Sequence, residues 1–321
     1  MQKKSAKKAL KLSVIVTTHN RADALEMCLK ALADQSYPKP GFEVIVIDDG
    51  SSEETGQLVK ELASSLPIRI RYSYQEHMGR SGVSKARNKG ITEAKARHVL
   101  IMGDDIIASR EFLMEHMRIH EEHKNAHKAN MDKGEVIERG SAVLGLTEWH
   151  PKLKATLFMN FLINEGHQFN YKGIKDRNNC GYGMFYTSNI SLATSWFTEE
   201  LFDEEMFALE DVELGYRLEK KGLKIVFNPR ALAYHYHPIT EEQFYNKIRN
   251  TSINAVHMYR KFPELKDLNA LRTRARLASI ALRPIIRLTP LIKALGLKRQ
   301  AWTANIIYNS AVGILEGMGV N

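Results

Sequence analysis

Hydrophobic and polar positions follow two different periods along the first hundred residues. Short apolar or alternating runs at residues 12–17, 42–47, 68–74 and 99–102 predict buried strands. The segments between them place apolar residues three or four positions apart, as amphipathic helices do. Strands separated by helices of this length predict a parallel, doubly wound α/β sheet. Such sheets bind their ligands beyond the carboxyl ends of the strands.

The rest of the chain has a less regular pattern. Helical spacing at residues 110–123 and 210–221 alternates with short predicted strands at residues 142–146 and 224–227. After Pro238 the pattern is helical, and we expect prolines 284 and 290 to break the last helices.

The composition is that of an ordinary globular protein. The 321 residues are 44% hydrophobic and 26% charged, which excludes a disordered chain. Cys28 and Cys180 are too far apart in sequence to suggest a disulfide framework or a zinc motif, which favours a reducing, cytoplasmic location. No apolar run approaches the roughly 20 residues that cross a bilayer, so we expect a soluble protein.

The net charge of +9 is concentrated at the two ends of the chain. Residues 1–11 contain five lysines and no acid, and residues 265–321 contain three lysines and six arginines against two acids. A nucleic-acid surface would interleave aromatic residues with its basic ones, so nucleic acid is not an expected partner. An anionic membrane surface or an anionic lipid-linked substrate explains basic ends, and so does a solubilising tail with a solvated helix face.

Arginines alternate with aliphatic residues at helical spacing in residues 271–288. This pattern predicts an interfacial helix lying on anionic lipid, or a helix packed against the rest of the chain or a second subunit. We favour contact with a membrane or a subunit, because the density of arginine exceeds what solubility requires. A location at the inner face of the cytoplasmic membrane and a homo-oligomer are both compatible with it.

Acidic side chains follow the predicted strands. TTHNR at 17–21, IDDGSS at 47–52 and MGDDI at 102–106 come directly after strands, and LEDVELGYRL at 209–218 opens a helix with two acids. Carboxylates gathered at one sheet edge repel one another unless a positive group neutralises them. A divalent cation such as Mn²⁺ or Mg²⁺, bound with a diphosphate, would do so.

Six segments of the chain resemble the ordered motifs of family 2 glycosyltransferases with the GT-A fold. They are SVIVTTHNRADAL, FEVIVIDDGSSEET, VSKARNKG, LIMGDDI, TSNISL and LEDVELGYRL, in that order within about residues 12–240. Each segment alone is weak, whereas six in sequence are specific. The resemblance implies a doubly wound mixed sheet with a helical C-terminal extension. The implied parts are a basic tail (1–11), a GT-A catalytic domain (12–240, with a nucleotide-binding half 12–106 and an acceptor-binding half 107–240) and a basic helical extension (241–321).

The resemblance also implies an activity and a donor site. The reaction would be inverting transfer of a sugar from a nucleotide diphosphate donor, with a UDP-sugar favoured. The acceptor would be a hydroxyl of a glycan or lipid-linked molecule in surface polysaccharide or glycoconjugate synthesis. Asp49 would accept a hydrogen bond from the base, and Arg87 would face the sugar or pyrophosphate, which a planar guanidinium suits. The implied donor-binding residues are Thr17, Thr18, Asn20, Arg21, Asp49, Arg87 and Asp104.

A metal site is implied at the GDD sequence, where Gly103 replaces the first acid of the family's Asp-x-Asp motif. Asp105 would hold the metal, and Asp104 would bind the sugar or ribose. His235 would complete the metal shell, with His237 as the alternative because both point to the same face of a strand. A turn of two aspartates and a buried structural histidine are the plainer explanations of the same residues. The histidines elsewhere show no clear ligand set, and those at 116–127 are expected on a solvated helix.

The catalytic base implied by the resemblance is Asp211, which would take the proton of the acceptor hydroxyl. Trp149, Asn189 and Glu210 are expected to bind the acceptor, Trp149 by stacking on a sugar ring. An acid pair at a helix N-terminus is stabilised without any catalytic role. Two other functions stay open: a noncatalytic scaffold or sugar-binding module at the membrane surface, and a nucleotidyltransferase. The second would normally carry a glycine-rich basic loop after the first strand, which TTHNR is not.

Overall fold

The computed structural model describes residues 10–77, 79, 82–131 and 140–320. The chain forms two compact units. The first contains Met1–Leu153, Asn170–Glu205 and Glu210–His237, and the second contains Lys154–Phe169, Met206–Leu209 and Pro238–Asn321. Only the last two residues of the basic tail predicted for 1–11 fall within the described residues.

One mixed sheet forms the centre of the first unit. Its strands within the described residues are β1 (Leu12–Thr18), β2 (Phe42–Asp49), β3 (Arg69–Gln75), β4 (His98–Gly103), β5 (Ile106–Ala108), β6 (Ala142–Trp149), β7 (Ile190–Ala193) and β8 (Ile225–His235). They lie in the order β3-β2-β1-β4-β7-β6-β8-β5. The first four are parallel, whereas β7 runs antiparallel to both its neighbours. The predicted doubly wound mixed sheet is therefore confirmed.

Helices cover both faces of this sheet, which explains the continuous apolar runs in its strands. The helices of the first unit are α1 (Ala22–Ala33), α2 (Glu53–Ser65), α3 (Gly82–Glu93), α4 (Phe112–Met131) and α6 (Glu210–Lys220). Along β1, Val14 and Val16 pack into one core with Leu25 and Leu29 of α1, whereas Ile15 packs into the other. Because successive side chains of a strand point to opposite faces, a strand buried on both faces is apolar at every position.

The parallel register brings the ends of three strands to one edge of the sheet. Thr17 of β1 lies opposite Gly103 of β4, and Thr18 lies opposite Asp48 of β2. The polar residues after each strand therefore gather at one edge, as the sequence predicted from the doubly wound pattern.

The second unit is helical, which confirms the predicted helical C-terminal region. It contains α5 (Leu157–Asn164), α7 (Glu241–Lys261), α8 (Leu268–Arg287), α9 (Thr289–Ala294) and α10 (Lys298–Gly317). Phe158, Phe161, Phe244 and Trp302 form its aromatic core. Within the described residues, no helix has both the length and the apolar character needed to cross a bilayer.

Two local features of this unit are a capped helix start and a proline inside a helix. Helix α7 begins with a capping box: the Thr240 hydroxyl oxygen accepts from the backbone N–H of Gln243, and the Gln243 side-chain oxygen accepts from the backbone N–H of Thr240. Helix α8 continues through Pro284, where the sequence predicted a break. A proline removes one N–H from the helix, and α8 packs against α10 within the second unit.

Candidate active site

The turn between β4 and β5 carries two adjacent aspartates, Asp104 and Asp105, and both are buried. Thr18 at the end of β1 donates its hydroxyl proton to Asp104 Oδ2 at 2.7 Å. Arg21 bridges the pair, with Nη2 2.7 Å from Asp104 Oδ1 and Nη1 2.5 Å from Asp105 Oδ2. One guanidinium therefore supplies the positive charge that two neighbouring carboxylates require.

The backbone after β1 turns sharply at Asn20, one residue before Arg21. Asn20 has a φ of +52°, in the left-handed region that asparagine tolerates better than most residues. Its N–H donates to Ser51 Oγ at 2.8 Å, and its side-chain Oδ1 accepts from the N–H of Ser52 at 3.2 Å. Through these two hydrogen bonds, Asn20 joins the loop after β1 to the loop after β2.

Strand pairing places His235 beside Asp105. His235 ends β8, where it lies opposite Ile106 of β5 and Trp149 of β6. Its Nε2 lies 3.4 Å from Asp105 Oδ2, and the N–H of Tyr236 donates to the Asp105 carbonyl at 2.7 Å. The Trp149 ring lies 5.4 Å from the His235 ring. Trp149 therefore borders the aspartate turn.

The two aspartates of the turn differ in acidity. Burial, together with the charge of Asp105, raises the pKa of Asp104 from 3.8 to about 6, although Arg21 opposes this shift. Burial would also raise the pKa of Asp105, but hydrogen bonds and charges from His235 and Arg21 outweigh it and hold that pKa well below its usual range. Asp105 therefore stays ionised down to a lower pH than Asp104 does.

The arrangement around Asp105 fits a divalent cation. A carboxylate oxygen and an imidazole nitrogen, from Asp105 and His235, converge there, and both are ligands of Mn²⁺ in proteins. The ring of His237, the alternative ligand, lies 6.0 Å from that of His235. A Cβ on Gly103 would come 2.9 Å from Asp105 Oδ1. Glycine at this position therefore leaves room for the Asp105 carboxylate, which gives a steric reason for the departure from Asp-x-Asp.

Asp49, the residue expected to bind a base, ends β2 and is buried among polar side chains. Its Oδ1 accepts from Gln75 Nε2 at 2.7 Å, and its Oδ2 lies 2.9 Å from His77 Nδ1. The ring of His19 stacks on that of His77 with centroids 4.2 Å apart. Asp49 is thus oriented from two sides, and a planar ring pair borders it.

His19, Asp49 and His77 also form a group that the sequence interpretation missed. One potential metal-ligand atom of each residue lies within 4.8 Å of the other two, a separation at which three ligands can bind the same cation. The sequence interpretation found no clear ligand set among the other histidines, and this group is one that could hold a cation. The signal was present, because His19, Asp49 and His77 stand at or just after the ends of β1, β2 and β3.

A second acid pair, Glu210 and Asp211, opens helix α6. Arg87 of α3 donates from Nη1 to Glu210 Oε1 at 2.6 Å, and its guanidinium lies 5.4 Å from the ring centre of Phe202. The structure therefore joins Arg87, expected at the donor, to Glu210, expected at the acceptor.

Asp211 has the acidity of a proton acceptor that works near neutral pH. Burial and the charge of Glu210 raise its pKa from 3.8 to about 6, although Arg87 opposes the shift. Leu209, the residue before this pair, has a φ of +59°, which is strained for a leucine. Strained backbone of this kind concentrates at functional sites.

Asn189 is a structural residue, which corrects the expectation that it binds an acceptor. It is fully buried, and its amide nitrogen donates to the carbonyls of Leu146 and Ala231, each at 3.1 Å. Its Oδ1 lies 2.8 Å from Nε2 of His116, which is also fully buried. A side chain with these bonds joins two strands to α4 and offers no surface to a sugar. The start of the predicted solvated helix at 116–127 is likewise buried.

The predicted site residues thus fall into three groups within the first unit. Thr18, Arg21, Asp104, Asp105, His235 and Trp149 form the first, Asn20 and Asp49 lie in the second with the two stacked histidines, and Arg87, Glu210 and Asp211 form the third. Thr17 is buried at the end of β1. Their roles toward a donor, a metal or an acceptor stay predictions.

Comparison with known proteins gives relatives along most of the chain. Validoxylamine A glucosyltransferase of Streptomyces hygroscopicus subsp. jinggangensis is 27% identical over 277 residues, covering 79% of this chain and 61% of that protein. Hyaluronan synthase of Pasteurella multocida is 27% identical over 270 residues, covering 78% of this chain and 27% of the synthase. The chain therefore spans less than two thirds of the length of these relatives.

Solved structures resemble the fold over nearly the whole chain. S. aureus TarS 1–349, solved in complex with UDP-GlcNAc, has a TM-score of 0.53 at 18% identity and is covered to 93%, for 97% of this chain. The mannosyltransferase PcManGT from Pyrobaculum calidifontis, solved with GDP-Man and Mn²⁺, has a TM-score of 0.59 at 18% identity, covering 95% of this chain and 86% of that one. These likenesses confirm the predicted GT-A type of fold.

The sequence profile described as glycosyl transferase family 2 matches residues 13–187, more than half of the chain. This segment includes the ends of β1 and β2 and the aspartate turn after β4, whereas Glu210, Asp211 and His235 lie beyond it. The chain belongs to glycosyl transferase family 2.

Proposed function

We propose that the protein is an inverting glycosyltransferase that moves a sugar from a nucleotide diphosphate donor to a hydroxyl of a glycan or lipid-linked acceptor. The observation that carries this proposal is the third group of residues. Arg87 neutralises Glu210, while Asp211 beside it has a pKa of about 6. A carboxylate of this kind is ionised at neutral pH and binds a proton better than an ordinary aspartate does.

In the proposed reaction Asp211 takes the proton of the acceptor hydroxyl. The acceptor oxygen forms a bond to the anomeric carbon of the sugar, and the bond from that carbon to the diphosphate oxygen breaks. The electron pair of the broken bond leaves with the nucleotide diphosphate, so the configuration at the anomeric carbon is inverted. The charge of Arg87 acts on Asp211, and its planar guanidinium would suit the diphosphate of the donor.

A metal would be held by Asp105 and His235, whose oxygen and nitrogen already converge. When bound, Mn²⁺ or Mg²⁺ would stabilise the negative charge that develops on the leaving diphosphate. Arg21 already pairs with both aspartates, so its guanidinium would have to move or share Asp105 with the bound cation. The mannosyltransferase with a similar fold was solved with Mn²⁺, which supports a metal-assisted reaction.

For the donor, we propose that Asp49 accepts a hydrogen bond from the base and that a UDP-sugar is preferred. Asp49 is held by Gln75 and His77, and the stacked rings beside it suit a flat base. The similar structures contain UDP-GlcNAc in one case and GDP-Man in another. The base is therefore the first property to measure.

For the acceptor, we propose a growing surface polysaccharide or glycoconjugate, with Trp149 as a stacking surface. Hyaluronan synthase of Pasteurella multocida and chondroitin synthase of Escherichia coli are among the relatives, each matching about 78% of this chain. Trp149 lies next to His235 and so borders the proposed metal site. Such an acceptor would place the protein in the cytoplasm, at the inner face of the cytoplasmic membrane.

The experiment is a screen of UDP-, GDP- and dTDP-sugars with and without Mn²⁺, read by thermal unfolding and by slow release of nucleotide diphosphate. We expect one nucleotide class to raise the melting temperature in the presence of Mn²⁺, and we expect Asp105→Ala to abolish this metal dependence. No stabilisation by any donor would contradict the proposal and favour a noncatalytic member of the family. Release of pyrophosphate from a nucleoside triphosphate would favour a nucleotidyltransferase.

A further inference from the structure

Helix α8 in the second unit has two apolar sides. One side packs inward and includes the buried Ala275 and the partly buried Leu271 and Leu282. The other side faces solvent. At about 100° per residue, positions 277, 280, 284 and 288 form a stripe roughly 155° away from the inward side. Packing within the second unit therefore explains only one of the two apolar stripes.

The solvent-facing stripe is strongly exposed and continues beyond α8. Leu277 and Ile280 are each 64% exposed, Leu288 at the end of α8 is 52% exposed, and Leu291 and Leu295 in and after α9 are 57% and 68% exposed. Among the described residues, seven of the eleven exposed large hydrophobic side chains lie between positions 277 and 297. Such a concentration marks an interaction surface, whereas single exposed leucines need no explanation.

Arginines border this stripe. Four arginines, at positions 272, 276, 283 and 287, share one flank of α8, because the last three follow Arg272 by four, eleven and fifteen residues. Arg274 lies on the other flank. Helix α8 contains no acidic residue. Among the described residues, none of the five arginines has a carboxylate partner within 4 Å. We call the stripe and these arginines together the arginine–leucine face.

We propose that the arginine–leucine face docks on the surface of an anionic lipid bilayer. The leucines and isoleucine would enter the boundary between headgroups and acyl chains, and the arginines would contact lipid phosphates. An apolar stripe bordered by basic residues is the pattern of helices that lie in the plane of a membrane. The proposal goes beyond the glycosyltransferase activity and does not depend on it.

A second copy of the chain fits this face less well. A two-fold contact through α8 would bring the arginines of both copies together, and α8 has no acid to neutralise them. A bilayer containing acidic lipids supplies both the apolar interior and the negative charge. The length of α8 and its arginines also suit a helix that lies on a membrane, and within the described residues no helix can cross one.

The test is flotation of the whole chain with vesicles of phosphatidylcholine alone or mixed with phosphatidylglycerol. We expect binding only to the anionic vesicles, and weaker binding at higher salt. The double variant Leu277→Ser/Ile280→Ser should lose binding, and Arg276→Gln and Arg283→Gln should each weaken it about fivefold. The control is Leu201→Ser, a 40% exposed leucine of the first unit, which should bind as wild type does.

Three outcomes would overturn the proposal. The first is equal binding to neutral and anionic vesicles, or no binding to either. The second is loss of binding in Leu201→Ser to the same extent as in the double variant. The third is a wild-type dimer in solution that Leu277→Ser/Ile280→Ser converts to a monomer without any vesicle binding, because the face would then contact a second copy. Thermal unfolding of each variant shows whether it is folded. Donor-induced stabilisation measures donor binding in the same variants, so a failure of the proposed activity can be told apart from a failure of vesicle binding.

Discussion

Two regions of the first unit place adjacent acids next to a single arginine, and they use that arginine differently. Between β4 and β5, Arg21 contacts both Asp104 and Asp105. At the start of α6, Arg87 hydrogen-bonds to Glu210 and acts on Asp211 only through its charge. The local sequence is similar in both places, namely two consecutive acids. The position of the arginine makes the two pairs different.

The difference assigns different chemistry to the two pairs. In the first, Arg21 and His235 hold the pKa of Asp105 well below its usual range, and a permanently ionised oxygen suits a metal ligand. In the second, the pKa of Asp211 rises to about 6, which suits a group that must accept a proton. Each prediction below changes one residue that creates this difference.

The largest effect is expected from Asp211→Asn. The amide cannot take a proton from the acceptor, so kcat should fall by about 10²–10⁴-fold, while donor binding persists. Stability should rise, because the native-state pKa of about 6 lies above the ordinary 3.8, so ionisation opposes folding increasingly from about pH 4 and fully above about pH 6. The gain at pH 7 should be on the order of 1–3 kcal/mol and should disappear below about pH 4.

Both readouts of Asp211→Asn are needed, namely the initial rate of nucleotide release and the melting temperature as a function of pH. A less active but more stable variant separates loss of the base from loss of the fold. Turnover close to that of wild type would show that another group accepts the proton.

The next largest effect is expected from Asp105→Asn. Removal of the ionised ligand should weaken Mn²⁺ binding by about a hundredfold, measured by calorimetric titration of the metal in the presence of nucleotide diphosphate. The matched variant Asp104→Asn removes the neighbouring acid, whose pKa is raised to about 6, and should weaken binding less. Equal losses in the two variants would contradict the assignment of the metal to Asp105.

A change in pH dependence is expected from Arg87→Gln. In wild type, kcat should fall as the pH decreases through about 6, because Asp211 becomes protonated. Without the positive charge of Arg87, the pKa of Asp211 should rise further, and this limb should move up by about one pH unit.

The control for this change is Arg87→Lys, which keeps the charge and should leave the limb near its wild-type position. Measurement of kcat against pH at saturating donor separates this effect from weaker donor binding. An unshifted limb in Arg87→Gln would show that Asp211 does not govern it.

The sheet and its active edge could be predicted because they depend on local patterns. The apolar run of β1 is continuous because Val14 and Ile15 enter different cores. Parallel pairing then fixes where each strand ends, so Thr18, Asp49 and the GDD turn were expected at one edge. The polar residues after each strand needed no information from distant parts of the chain to be recognised.

The roles of single side chains depend on partners that are distant in sequence. Asn189 lies in one of the segments that resemble family 2 motifs, but its side-chain amide donates hydrogen bonds to the carbonyls of Leu146 and Ala231. His19 and His77 meet across Asp49 only after β1, β2 and β3 pair. No spacing rule within one segment contains these contacts, which is why the acceptor role of Asn189 was wrong and the histidine group was missed.

The smallest effect is expected from Gly103→Ala, which tests the steric side of the comparison. The added Cβ would lie 2.9 Å from Asp105 Oδ1, so the carboxylate must move by a few tenths of an ångström. A displacement of that size should weaken Mn²⁺ binding about two- to fivefold. Gly183→Ala is the control, because nothing lies within 4 Å of its added Cβ. Unchanged Mn²⁺ binding in Gly103→Ala would show that charge alone, without the room left by glycine, sets the ligand position of Asp105. A loss confined to Gly103→Ala would show that a glycine at the first position of the motif is part of how this chain holds its metal ligand.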